Sequence, residues 1–247
     1  MNKEKIICID GGGVLHRAIF NFMNCEATIP PTYTYLRMII GYLKRLKVTI
    51  EDSVIVAQDY GRSWRKEIDK SYKSQRKEKR EEKRSSEWWK EQYGRFDHLF
   101  EQLEPAINWQ FIKIWSIESD DIASVISRYY KDNEVIHVSS DRDWEQLAIF
   151  PNTRIWSPIS KKFKEIKSPM AILAEKINGD VSDNLLSKPS SEREWEIRKK
   201  IVDLTQLPDF VEQPIKEQLC KLMPKNLYVN KIPFHSVQVE IRKLYKL

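Results

Sequence analysis

The chain has 247 residues, of which 41% are hydrophobic and 32% charged, and its formal net charge is +6. It therefore has enough apolar residues for a sizeable core, which excludes a wholly disordered protein. No apolar run approaches the ~20 residues of a membrane span, and the first residues do not resemble a signal peptide. The three cysteines and four histidines are widely separated, which favours a reducing compartment and argues against a zinc site.

Four short apolar runs, each ending at or near an acidic residue, predict the strands of a sheet. They cover residues 5–10, 53–59, 110–115 and 134–141, and β-branched residues are frequent in them. Helical periodicity lies between them, around residues 35–46 and 122–129. This alternation predicts an α/β fold with a mainly parallel, twisted sheet flanked by helices.

The second half of the chain changes in character. A short hairpin or extended pair is predicted over residues 153–158 and 161–166. The remaining apolar periodicity predicts four helices, over residues 170–177, 192–204, 209–222 and 236–245. We expect a core over residues 1–183 and a helical, DNA-binding C-terminal subdomain over residues 184–247.

Acidic residues that follow the predicted strands form a candidate metal site. Because the carboxyl ends of parallel strands meet at one sheet edge, we expect these acids to lie together. They are Asp10, Asp59, Glu118 and Asp141. Such a group would repel itself unless it held cations, and carboxylate oxygens suit Mg²⁺ or Mn²⁺. Each acid alone is as typical of a helix cap or turn, but four at one topological position favour the metal site.

Further acids extend this group. They are Asp120 and Asp121 in the first helical turn after Glu118, Asp143 after the fourth strand, and Asp180 and Asp183 in a glycine-containing turn. Each has a structural alternative, as a charge that favours a helix amino terminus or as an ordinary turn residue. Five of the seven glycines flank these acids, as expected where the backbone turns sharply or approaches a ligand.

Positive charge is concentrated in one segment. Residues 62–84 contain eleven basic and five acidic residues, so their net charge of +6 equals that of the whole chain. Because the segment follows Asp59, it is placed to reach over the acidic edge and to attract a phosphate chain. Charge alone is equally compatible with a solvated helix. Aromatic residues lie in and just after this segment: Trp64, Tyr72, Trp88, Trp89 and Tyr93. They could stack on unpaired bases or pack onto the core, and we expect packing for Trp88 and Trp89.

Five sequence blocks occur in order along the chain: ICIDGGG, QDYGRSWRKEIDKSYKSQR, ESDDIA, SSDRDWEQL and NGDVSDN. Together they resemble the flap endonuclease and 5′→3′ exonuclease family, and in particular its phage ribonuclease H branch. The resemblance implies a PIN-like 5′ nuclease fold with a helical arch over residues 62–95. It also implies that the nine acids named above hold two Mg²⁺ ions, for which Mn²⁺ can substitute. One ion would activate water and the other would stabilise the leaving oxygen.

The resemblance also implies roles for basic residues. Arg65, Lys73 and Arg76 are expected to act in catalysis by contacting the scissile phosphate. Contacts with nucleic acid are expected from Arg62, Tyr72, Lys77, Lys188, Arg193, Arg198 and Lys199. The family's glycine-rich turn after the GDxxDN block is missing here, which argues against a potassium site.

We therefore predict a Mg²⁺-dependent 5′→3′ exonuclease and flap endonuclease of the ribonuclease H type, which removes RNA primers and short 5′ flaps during replication. Expected substrates are DNA and RNA·DNA duplexes with a free 5′ end or flap, and a replication clamp or single-strand-binding protein is a candidate partner. We expect a cytoplasmic monomer without a membrane partner, in a bacterial host if the source is viral. The alternatives are a PIN-type single-strand endoribonuclease and a non-catalytic nucleic-acid-binding factor on the same fold.

Overall fold

A six-stranded sheet forms the centre of the molecule. The computed structural model describes residues 4–24, 28–221 and 227–247, with backbone alone for residues 77–79. The strands are β1 (Lys5–Asp10), β2 (Ser53–Gln58), β3 (Trp109–Lys113), β4 (Glu134–Val138), β5 (Thr153–Ser157) and β6 (Lys162–Phe163). Their order is β3-β2-β1-β4-β5-β6, with β6 antiparallel to β5 and all other pairs parallel. The predicted mainly parallel sheet is confirmed.

Helices cover both faces of the sheet, so the inner strands are nearly continuous runs of buried residues. The helices are α1 (Gly11–Asn24), α2 (Pro31–Arg45), α3 (Arg65–Ile68), α4 (Gln75–Glu81), α5 (Ser86–Leu103), α6 (Ser119–Tyr129), α7 (Pro169–Asn178), α8 (Glu192–Val202), α9 (Asp209–Leu219) and α10 (His235–Tyr245). One face packs against α1, α2, α5 and α10, and the other against α6 and α9. No described helix combines the length and apolarity needed to cross a membrane.

Helix α1 is a finding that the sequence patterns did not predict. The three glycines after Asp10 form its first turn, where we expected a sharp turn of the backbone after the strand. A Cβ on Gly11 would lie 2.7 Å from the carbonyl oxygen of Ala57, and one on Gly13 would lie 2.5 Å from Asp10 Oδ2. Glycine is therefore required for the helix to begin directly against β2 and against the carboxylate of Asp10.

The last three helices attach to the core at separate places. Helix α8 packs with α7, α9 packs on α6, and α10 packs on α2. Trp109 Nε1 at the start of β3 donates a hydrogen bond of 2.8 Å to Tyr245 Oη. This packing favours one continuous body for the described residues, while the boundary at residue 184 stays a prediction. The predicted end of α9 at residue 222 lies outside the described residues.

Candidate active site

Asp10 is the acid at the centre of the sheet edge. Its carboxylate accepts hydrogen bonds of 2.8 Å from Gly13 N and of 2.8 Å from Ser139 Oγ. Burial, together with the nearby charges of Asp59 and Asp141, raises the pKa of Asp10 to about 6. Asp59, after β2, and Asp141, after β4, therefore lie close enough to Asp10 at the end of β1 for their charges to act on it, as the strand topology predicts.

Asp59 is held in place by the first residue of helix α6. Its Oδ1 accepts a hydrogen bond of 2.7 Å from Ser119 N. A Cβ on Gly12 would lie 3.4 Å from Asp59 Oδ2 and 3.8 Å from Asp10 Oδ1, so both carboxylates face the same glycine. The first turn of α1 thus leaves open the space between two candidate metal ligands.

Glu118 is surrounded by donors from the basic segment. Its Oε2 accepts hydrogen bonds from Ser63 Oγ at 2.8 Å, Arg65 Nη1 at 2.8 Å and Tyr72 Oη at 3.2 Å. Its Oε1 lies 2.6 Å from Lys73 Nζ. Burial opposes ionisation, but Lys73 and Arg65 outweigh it and lower the pKa of Glu118 to about 2. This carboxylate is therefore charged at any working pH.

Arg65 and Asp121 form a buried ion pair beside this group. Arg65 Nη2 lies 2.7 Å from Asp121 Oδ1, and Arg65 Nε donates to the carbonyl oxygen of Ile201 at 2.6 Å. Asp121 Oδ2 also accepts from Trp64 Nε1 at 2.9 Å and from Glu118 N at 3.1 Å. These contacts argue against the predicted phosphate contact of Arg65, which is 1% exposed, and against metal ligation by Asp121. Both residues instead hold the loop that carries Glu118.

A second group of acids is formed by Asp143, Asp180 and Asp183. One carboxylate oxygen of each lies within 4.8 Å of those of the other two. Burial, with added repulsion from its two neighbours, raises the pKa of Asp183 to about 6. Oxygen-only donors at this spacing are the ligands that hard divalent cations prefer.

Two buried carboxylate oxygens among these acids lack both a hydrogen-bond donor and a close cationic nitrogen. They are Asp120 Oδ1 and Asp183 Oδ1. The nearest cationic nitrogens, on Arg65 and Arg76, lie 3.7 Å away in each case, beyond hydrogen-bond distance. Because a buried carboxylate without donors is unfavourable, this chemistry fits a bound divalent cation.

The base of the basic segment joins the two acid groups. Lys73 Nζ, beside Glu118, also lies 3.8 Å from Asp183 Oδ1. Arg76 Nη2 lies 3.7 Å from the same oxygen, and its side chain remains 47% exposed. Asn184 Nδ2 donates a hydrogen bond of 3.2 Å to the carbonyl oxygen of Ser71. The structure thus brings all three predicted catalytic cations to the acids, with Arg65 buried beside Glu118 and Asp121 and with Lys73 and Arg76 beside Asp183.

A cavity of about 700 Å³ lies beside the acids and under the arch segment, defined as residues 62–95. Its lining includes His16, Phe20, Asp59, Arg76, Arg80, Tyr93 and Glu118. The walls therefore come from α1, from α4 and α5, and from the carboxyl edge of the sheet. Acidic residues therefore line the cavity on the side of the sheet, and cationic and aromatic residues line it on the side of the arch segment.

The family model described as the 5′-3′ exonuclease, N-terminal resolvase-like domain matches residues 5–177. The chain belongs to this family. It is 29% identical to ribonuclease H of Enterobacteria phage T4 over 196 residues, which is 75% of this chain and 63% of that protein. It is 32% identical to a 5′-3′ exonuclease of Mycoplasmopsis pulmonis over 149 residues, covering 58% of this chain and 45% of that protein. The matches thus span less than two thirds of either relative.

Solved structures of bacteriophage T5 nucleases share the fold. A T5 flap endonuclease variant, in a pseudo-enzyme–product complex with DNA and metal ions, is 19% identical, with a TM-score of 0.62 and 97% of each chain covered. The T5 5′-exonuclease with bound zinc is 17% identical, with a TM-score of 0.61 and the same coverage. The predicted PIN-like 5′ nuclease fold is confirmed.

Two residues predicted to contact nucleic acid are buried in this member of the 5′-3′ exonuclease family. Tyr72 is 2% exposed and donates to Glu118, which leaves no ring face for a base. Arg198 is also buried and is bonded to Glu194 and to the carbonyl oxygen of Ser187. These contacts argue for structural roles, because both polar groups are already satisfied inside the protein.

The other predicted contacts lie mainly at the surface. Arg62, Lys188 and Arg193 are exposed, while Lys199 is half-buried. The side chain of Lys77 lies outside the described residues. The expected packing of Trp88 and Trp89 is confirmed, since Trp89 belongs to the main core and Trp88 packs against it.

Lys176 is a residue of the site that the sequence patterns did not single out. Its Nζ lies 2.5 Å from Asp143 Oδ1 and also pairs with Asp180, four residues further along the chain. Its position in the last turn of a predicted helix, four residues before Asp180, is the one sequence feature that relates it to the acids. An ammonium group at this place competes with a divalent cation for the same oxygens.

Replacing Lys176 with methionine is expected to tighten Mn²⁺ binding by about tenfold, the effect of roughly 1.4 kcal/mol of removed repulsion. Isothermal titration calorimetry of the two proteins measures this. Lys216→Met is the matched control, because Lys216 also forms an i,i+4 pair, with Glu212 at 2.8 Å. Unchanged or weaker binding by Lys176→Met would mean that the ammonium supports the site and does not compete there.

Proposed function

We propose that the chain is a divalent-metal-dependent 5′ nuclease that hydrolyses phosphodiesters near a 5′ end or flap of DNA and RNA·DNA duplexes. The observation that carries this proposal is that Lys73 of the arch segment lies 2.6 Å from Glu118 Oε1 and 3.8 Å from Asp183 Oδ1 of the second acid group. A site of this kind combines cation ligands with fixed positive charge, which phosphoryl transfer requires.

The residues divide into two roles. Asp10, Asp59, Glu118, Asp120 and Asp141 on one side, and the second acid group on the other, would hold Mg²⁺ or Mn²⁺ ions. When bound, these ions would lower the pKa of a water molecule and polarise the phosphodiester. Lys73 and Arg76 would orient the phosphate and offset its charge, since they lie between the acids and the cavity.

The cavity supports a preference for a single-stranded 5′ arm. It combines Arg76 and Arg80 with aromatic rings, and such surfaces bind unpaired strands through charge and stacking. Removal of RNA primers during replication is the role we propose for this activity, with a clamp or single-strand-binding protein as a candidate partner.

A metal titration on three substrates tests the proposal. The substrates are a 5′-flap duplex, a nicked RNA·DNA hybrid and single-stranded RNA, each labelled at its 5′ end. We expect cleavage of the first two that rises with Mg²⁺ and is abolished by EDTA. Cleavage of single-stranded RNA alone would instead support a PIN-type endoribonuclease. Salt-sensitive binding without metal-dependent cleavage would support a non-catalytic binding factor.

A further inference from the structure

Two aromatic side chains are presented to solvent where β2 and β3 end. Trp115 is 65% exposed and Tyr60 is 42% exposed. Their ring centroids lie 5.4 Å apart, with an interplanar angle of 87°. Tyr60 directly follows Asp59, and Trp115 precedes Glu118 by three residues. The pair therefore lies beside the acids, on the side of the edge strand β3.

The backbone is built to hold this pair in place. Gly61 has a φ of +77°, and a Cβ at this position would lie 2.7 Å from Trp115 Cε3. Ser116 N donates a hydrogen bond of 2.8 Å to the carbonyl oxygen of Tyr60, and Tyr60 N donates one of 3.3 Å to that of Ile117. The indole of Trp115 thus rests against Gly61. Backbone hydrogen bonds join the loop that carries Gly61 to the loop that carries Trp115, and a residue other than glycine at position 61 would be strained.

Two cationic side chains lie near the pair, Lys113 in an ion pair with Asp97 and Arg62 in one with Glu67. Lys113 Nζ lies 4.5 Å from the centroid of the Tyr60 ring and 2.5 Å from Asp97 Oδ1. Tyr60, Arg62 and Lys113 all line the cavity under the arch segment. A fixed aromatic surface with cations near it is complementary to a base and its phosphates.

We infer that Trp115, supported by Tyr60, is a stacking platform for an unpaired nucleobase of the strand that occupies the cavity. The inference rests on the proposed function. The exposed indole contributes little buried apolar area to the stability of the fold, whereas its position beside the acids leaves it free to contact a bound strand. Because every base has a ring face that can stack, we expect the platform to bind any base with similar affinity and to lose affinity only where the base is missing.

A double-mutant cycle between protein and DNA tests this platform. Binding of 5′-flap duplexes is measured in EDTA, with an abasic site placed at successive positions of the single-stranded arm. We expect Trp115→Ala to weaken binding of the intact flap about tenfold. An abasic site at one position should weaken wild-type binding by a similar factor and have no further effect on Trp115→Ala. Trp115→Phe should retain most of the affinity.

Tyr228→Ala is the matched control. Tyr228 is 48% exposed and lies 4.7 Å below Lys231 Nζ, so it has the same chemistry. Its N–H donates to the carbonyl oxygen of Ala106, before the start of β3 and thus at the opposite end of the strand from Trp115. We expect its flap affinity to be that of the wild type, and thermal melts of all variants check their folding.

The outcomes separate this inference from the proposed function. If the wild type cleaves flaps but Trp115→Ala binds as tightly, or abasic sites weaken both proteins equally, the platform alone is overturned. If the wild type neither binds nor cleaves the flap, both are overturned. Loss of affinity in Tyr228→Ala of the same size would also contradict a specific platform.

Discussion

Asp10→Asn is expected to lower the rate of flap cleavage about a thousandfold while affinity for the flap duplex changes little. A metal ion supplies several kcal/mol of transition-state stabilisation, and each 1.36 kcal/mol is a factor of ten in rate. The substitution removes the charge of the proposed central ligand but keeps the shape of the side chain. Single-turnover cleavage and equilibrium binding of a 5′-labelled flap measure the two effects. Cleavage at the wild-type rate would contradict our assignment of the site.

The thermal stability of the same variant shows whether Asp10 binds metal or has a purely structural role. The pKa of Asp10 is about 6 in the folded protein and near 3.8 in a model compound, so without metal its ionisation weakens the fold as the pH rises from 4 to 6. At pH 7 this cost is at most about 2 to 3 kcal/mol. We therefore expect metal-free Asp10→Asn to melt at or above the wild-type temperature and to gain less stability from Mg²⁺.

Asp52→Asn provides the matched control. Asp52 is also buried, but it accepts hydrogen bonds from Lys5 N at 2.9 Å and Thr49 N at 2.8 Å at the amino end of the sheet. We expect it to melt at a lower temperature and to cleave at the wild-type rate while folded. Equal loss of cleavage in both variants would show that the effect of Asp10→Asn comes from misfolding.

Arg65→Met is expected to lower the free energy of unfolding by about 3 to 5 kcal/mol, because it leaves Asp121 charged, buried and without its partner. Urea unfolding followed by tryptophan fluorescence measures this. Arg76→Met is the control: the Arg76 side chain is 47% exposed, so we expect a change below about 1 kcal/mol, together with slower cleavage. If Arg65→Met unfolds like the wild type yet cleaves far more slowly, Arg65 contacts the phosphate after all.

The strands and their acids could be predicted because the information is local. Runs of β-branched residues that end in Asp10 or precede Asp59 and Asp141 indicate both the strand and its end, and parallel topology then brings the ends together. Helix α1 could not be predicted, because three successive glycines disfavour a helix. It forms since only glycine fits against β2 and Asp10, which is a tertiary constraint.

The roles of individual cations were beyond sequence patterns for a similar reason. Arg65, Lys73 and Arg76 are equally basic, but Arg65 faces Asp121 and Ile201, which are 56 and 136 residues away in sequence. Such partners have no local signature. The charge of the basic segment and its position after Asp59 were therefore enough to predict that it lies near the acids. Only the fold determines that Arg65 is buried and that Arg76 is exposed.

Anomalous diffraction from crystals soaked in Mn²⁺ is the most direct test of the metal site on which the proposed nuclease depends. We predict one manganese peak in contact with the carboxylates of Asp10 and Asp59, and a second among Asp143, Asp180 and Asp183. Manganese bound only at other surface acids, with no peak at either group, would contradict the mechanism.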